Sequence, residues 1–102
     1  MLDYIHKYYN EPITLSDLAM EISVCEREVQ RYFHKDLSMS PISYIQKYRI
    51  YIACKMLINS QQSITEIGLA CGFSNSSHFC RIFRKHMGCS PNNFRKNEIS
   101  IL

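Results

Sequence analysis

Residues 31–41 read Arg31-Tyr32-Phe33-His34-Lys35-Asp36-Leu37-Ser38-Met39-Ser40-Pro41, and residues 81–91 read Arg81-Ile82-Phe83-Arg84-Lys85-His86-Met87-Gly88-Cys89-Ser90-Pro91. At an offset of 50, Arg, Phe, Lys, Ser and Pro recur in register, and an aromatic follows three positions after each proline, Tyr44 and Phe94. Upstream the match continues at an offset of 49, with Thr14-Leu15-Ser16-Asp17-Leu18-Ala19 over Ser63-Ile64-Thr65-Glu66-Ile67-Gly68. One residue is therefore inserted between the two stretches, near Gly72-Phe73. Two copies of a unit of about 30 residues, joined by a connector, are the simplest account.

Each copy predicts two helices and a short turn. Thr14 with Asp17, and Ser63 with Glu66, have capping-box spacing, in which a hydroxyl and a carboxylate satisfy each other's free amides. First helices follow with apolar stripes at Leu15, Leu18, Ala19 and Ile22, and at Ile64, Ile67 and Cys71. Ser23-Val24-Cys25 and Gly72-Phe73-Ser74 break them, and second helices place Val29, Phe33 and Leu37, or Phe79, Ile82, Phe83 and Met87, on a buried face. Ser40-Pro41 and Ser90-Pro91 each open a further helix, with a capping hydroxyl and proline at the first helical position. The connector, residues 41–58, carries Ile42, Ile45, Tyr48, Ile52 and Met56, and a short helix near residues 2–9 precedes the first copy. The expected fold is all-α, with about seven helices forming two helix-turn-helix subdomains (residues 1–40 and 59–102) joined by a long linker helix within a single domain of residues 1–102.

Composition narrows the function. The 102 residues are 46% apolar, enough for one compact domain, and three Gly with three Pro are too few for a sandwich or barrel. No run of eighteen apolar residues exists, the start lacks a secretory core, and five Cys form no regular framework. These features predict a cytoplasmic protein without membrane contact. Residues 1–36 hold seven acidic side chains against four basic ones, whereas residues 37–102 hold two against eight. An anionic partner, nucleic acid first, is thus expected for the second half.

The second helix of a helix-turn-helix fits the major groove, where base edges are distinguishable. On the first candidate reader the outer face is Arg27, Gln30, Arg31 and His34; on the second it is Ser76, Ser77, His78, Arg81, Arg84 and Lys85. Arg addresses guanine O6 and N7 in a two-point contact, Gln addresses adenine, and Ser or His serves bases or phosphates. Helix starts near Ser16, Ser40, Thr65 and Ser90 offer amides to phosphate.

The run Ile64-x-x-Ile67-Gly68-x-x-x-Gly72-Phe73-Ser74-x-x-Ser77-His78-Phe79-x-Arg81-x-Phe83-Arg84-Lys85-x-x-Gly88-x-Ser90-Pro91-x-x-Phe94-Arg95 resembles the signature of the AraC/XylS family of bacterial transcription regulators. The resemblance extends through Leu18-Ala19, Arg31-x-Phe33 and Arg49-x-x-x-Ala53-x-x-Met56-Leu57, over about residues 2–96. It implies a module whose two readers enter successive major-groove segments of double-stranded DNA. It places base and phosphate contacts on Arg27, Gln30 and Arg31, and on Ser76, Ser77, His78 and Arg81. RNA polymerase is a further partner it implies. Because the chain opens directly on a helix, with Leu2 already in the apolar pattern, it is expected to be a monomeric carboxy-terminal part of a longer regulator, with no effector site of its own.

Departures from the family pattern concentrate in the first copy. Ser23 and Ser38 stand where Gly is usual, Cys25 replaces a Ser or Thr cap, and in the second copy Gly68 stands where Ala is usual. Glu26 and Glu28 suit the helix dipole but repel phosphate, so the first reader is expected to contribute less affinity or to select sequence through Arg27 alone. Competing classes have thinner support. His86-x-x-Cys89 lacks a paired C-x-x-C, so no metal is expected. With no Gly-rich loop and only Glu66 and Glu98 beyond residue 36, neither catalytic residues nor a cofactor is expected. A thiol switch among the five cysteines and a helical interaction bundle are the remaining alternatives.

Overall fold

The computed structural model describes residues 1–101, with side-chain surroundings for residues 1–97. Seven α-helices follow one another without a strand among the described residues: α1 (Leu2–Tyr8), α2 (Leu15–Glu21), α3 (Glu26–Tyr32), α4 (Pro41–Asn59), α5 (Ile64–Ala70), α6 (Ser76–Met87) and α7 (Pro91–Ile101). A π-helical turn, Phe33–Leu37, continues α3. The chain divides into two compact units, Met1–Tyr48 and Arg49–Leu102, with the boundary inside α4.

In the first unit Thr14 and Asp17 form the expected capping box, with Thr14 Oγ1 accepting from the Asp17 amide at 3.1 Å and Asp17 Oδ2 accepting from the Thr14 amide at 2.9 Å. Leu18 and Ala19 of α2 then meet Val29 and Phe33 of the reader, together with Ile5, Ile13 and Ile45. Helix α1 is further held by an aromatic contact, His6 lying flat on Tyr48 at 4.3 Å between ring centres and its Nε2 2.8 Å from the Tyr44 hydroxyl. The turn into the reader requires Ser23 to adopt a left-handed backbone (φ 57°), and the reader ends on Ser38 in the same conformation (φ 56°). Both are positions where glycine costs least.

The second unit repeats the plan with better-suited residues. Ser63 and Glu66 form its capping box, and Gly72 (φ 99°) and Gly88 (φ 78°) take the two left-handed positions. Its core joins Ile50, Ala53 and Leu57 of α4 to Ile67, Cys71, Phe73, Phe79, Ile82 and Phe83. Phe79 lies so close to α5 that a Cβ on Gly68 would sit 2.8 Å from its ring, which explains why alanine is absent there. Arg95 of α7 closes the end of α4, its Nε donating to the Leu57 carbonyl at 2.9 Å and an Nη to that of Ser60 at 3.2 Å. Those carbonyls would otherwise lack partners at a helix end.

Three expected core positions are on the surface. Ile22 is 37% exposed, Ile42 50% and Met87 40%. Each lies at a helix terminus, where the apolar stripe has run past the end of the buried face. The second reader is capped by Asn75, which puts the inserted residue at Ser74, directly after Gly72-Phe73. From that cap onward the copies stay 50 apart: Cys25 with Asn75, Ser38 with Gly88 and Pro41 with Pro91.

Candidate nucleic-acid interface

Both readers are twelve residues long between their caps, 26–37 and 76–87. In the first, Val29 and Phe33 are fully buried and point inward. The spacing of an α-helix therefore turns Arg27, Gln30 and Arg31 outward, and all three are exposed, as is His34 in the π-turn. Arg31 is not alone: its Nη1 donates to Glu28 Oε1 at 3.0 Å, with the two side chains 73% and 50% exposed. The start of this reader has the extended backbone of a cap residue at Cys25, but the thiol makes no capping hydrogen bond. Its end differs as well. The Ser38 amide reaches back five residues to the Phe33 carbonyl, whereas the Gly88 amide reaches back four to that of Arg84 at 2.9 Å.

The second reader is regular throughout. Asn75 Oδ1 accepts from the His78 amide at 2.8 Å and caps it, and Phe79, Ile82 and Phe83 anchor its inner face. Ser77, Arg81 and Lys85 form one exposed stripe at intervals of four residues, with Arg84 beside them. Ser76 and His78 are only half exposed. The His78 ring stands edge-on to Phe73 at 5.6 Å between centres, and its Nδ1 is buried without a hydrogen-bond partner. His78 thus leans toward the turn, away from the Ser77–Arg81–Lys85 stripe.

Charge separates the two surfaces. Residues 26–37 carry three acidic and three basic side chains, while residues 76–87 carry Arg81, Arg84 and Lys85 and no acid. Two residues outside the predicted set shape these faces. Glu28 holds a predicted reader by an i,i+3 spacing visible in the sequence, and Asn75 is a favoured cap type directly before a helix. Arg49, on α4, lies over the Phe73 ring with its guanidinium carbon 5.9 Å from the ring centre, and burial pulls its pKa down.

Among the described residues no helix is long and apolar enough to cross a membrane. Residues 18–97 match the model of a family described as a helix-turn-helix domain. The chain is 33% identical over 96 residues to the uncharacterized HTH-type transcriptional regulator YdeC of Bacillus subtilis (strain 168), covering 94% of this chain and 33% of YdeC. It therefore spans about a third of the length of that relative. A solved transcriptional regulator from Chromobacterium violaceum, of the AraC-type DNA-binding domain-containing proteins, superposes with a TM-score of 0.89 at 32% identity, covering 93% of this chain and 85% of that one. The DNA-binding domain of AdpA, solved in complex with a target DNA, shares the fold, with a TM-score of 0.84 at 24% identity over 91% of this chain and 83% of that one.

Proposed function

The chain belongs to the AraC-type helix-turn-helix family of transcription regulators, and from that membership we propose that it reads a specific double-stranded DNA sequence through α3 and α6, each set in a major-groove segment. The observation that carries this reading is the exposed, acid-free stripe of Ser77, Arg81 and Lys85 on a helix capped by Asn75 and anchored by Phe79 and Phe83. A rigid helix with cations on its outer face meets the two needs of duplex recognition, phosphate neutralisation and fixed geometry toward base edges.

In this reading Arg81 is the principal base contact of α6, with Ser76, Ser77 and His78 near the entry of the helix and Lys85 on phosphate. Arg27, Gln30, Arg31 and His34 serve the first reader. Residues 1–102 act as one module, with residues 1–40 and 59–102 as the two reading units and 41–58 as their linker. The module occupies an asymmetric site as a monomer in the bacterial cytoplasm, at the nucleoid, where RNA polymerase is its natural protein partner. A tight dimer in sedimentation at micromolar concentration would contradict the monomer.

The test is selection of bound duplexes from a random library, followed at two salt concentrations. Two enriched blocks about one helical turn apart are the expected result. Steeply salt-dependent binding with no enriched sequence would reduce the module to a non-specific DNA binder. Absence of binding at low salt would return the protein-interaction bundle to the front.

A further inference from the structure

Glu28 lies in the first turn of α3, where an acid suits the helix dipole, but among residues assigned to DNA contact. It stands one residue from Arg27 and holds Arg31, two of the residues assigned above to base contacts, and its carboxylate is half exposed on the same helix. A surface ion pair of this kind contributes little to stability. Its effect on recognition is different in kind. An unrestrained arginine finds a phosphate anywhere along a duplex, which adds affinity without selectivity. With Nη1 engaged by Glu28 at 3.0 Å, the guanidinium keeps its Nη2–Nε edge for a two-point contact, the geometry that guanine O6 and N7 accept. The carboxylate also repels any phosphate that Arg31 approaches.

The repeat supplies a built-in comparison. The position of Glu28 in the second reader is His78, turned toward Phe73, and no acid accompanies Arg81 along residues 76–87. We infer that Glu28 is a specificity-determining residue of the first reader, orienting Arg31 toward a G·C pair and penalising its capture by backbone phosphate. The second reader, lacking such an acid, supplies affinity with a looser sequence requirement. This inference rests on the DNA-reading assignment above.

The experiment compares random-library selections by the 102-residue chain and its Glu28→Gln variant, an isosteric change on an exposed side chain, with circular dichroism to verify folding. Glu28→Gln is expected to bind a motif-free duplex several-fold more tightly, because one repelling charge is gone. It should also lose about tenfold in discrimination at one base pair of the block read by α3, leaving the other block unchanged. In an Arg31→Ala background, Glu28→Gln should alter discrimination no further. If Glu28→Gln tightens binding to all duplexes in equal proportion and leaves both blocks intact, Glu28 is only a repelling charge and the inference is overturned. If the unmodified chain enriches no sequence at all, the DNA-reading assignment fails first and this inference with it.

Discussion

Ser38 and Gly88 close the two readers at the same repeat position and with the same handedness, φ 56° and φ 78°. A β-carbon in that region costs roughly 1 kcal/mol or more, partly offset by the extra unfolded-state entropy of glycine. Ser23→Gly and Ser38→Gly are therefore expected to stabilise the chain by about 0.5–1 kcal/mol each, read as a higher urea midpoint at unchanged slope. Gly88→Ala should lose about 1 kcal/mol through backbone strain alone, since nothing lies within 4 Å of the added carbon. Cys71 makes a residue-scale prediction in pH. Burial pushes its thiol up to about 11 from an ordinary value of 9.0, against the opposing pull of Arg49, and its Sγ lies 3.7 Å from Met56 Sδ. Below pH 9 both folded and unfolded thiols are protonated and the contribution is complete. Between about 9 and 11 only the unfolded thiol ionises, so stability falls as pH rises, by on the order of 2 kcal/mol for this group. Cys71→Ala should remove that part of the alkaline loss; an unchanged slope between pH 9 and 11 would count against it.

At the scale of the element, the helix ends carry most of the difference between the two units. Cys25 already has the extended backbone of an N-cap and lacks only the oxygen, so Cys25→Ser is expected to add about 0.5–1 kcal/mol. Asn75→Ala should cost about 1 kcal/mol by the same logic, and the two changes can be compared in one denaturation series. Gly68→Ala runs against propensity: alanine favours a helix by about 1 kcal/mol, yet the new carbon meets the Phe79 side chain at 2.8 Å, near its stiff base. Net destabilisation is expected. The two capping boxes, the Ser-Pro helix starts and the 50-residue register were legible because each depends on neighbouring side chains. The π-turn was not, since nothing in Phe33-His34-Lys35-Asp36-Leu37 distinguishes a five-residue closure from a four-residue one. Ile22, Ile42 and Met87 were misplaced for a related reason: periodicity identifies a face but not the residue at which the partner surface stops. Within the candidate interface, residue types and outward faces could be read. The leaning of His78 onto Phe73 depends on the turn geometry and could not.

For the whole molecule, charge organises the expected behaviour. The unit Met1–Tyr48 holds seven acidic and five basic side chains, and the unit Arg49–Leu102 holds two and seven. If about six phosphates are neutralised, log K should fall against log salt with a slope near −5, and Lys85→Ala should reduce that slope by about one. Arg81→Ala should instead cost about 1–3 kcal/mol and relax discrimination at one base pair, which separates it from Lys85→Ala in an anisotropy titration across several duplexes. The left-handed serines have a consequence in time as well. A helix that starts without a capping oxygen and is bounded by two strained residues opens more often than one closed by Asn75 and Gly88, and its amides should exchange with solvent sooner. The reader with the acid is then also the more restless one. On a duplex, α6 would land early on many sequences, and α3 would settle only where the bases reward it, turning a local looseness into a delay that wrong sites do not survive.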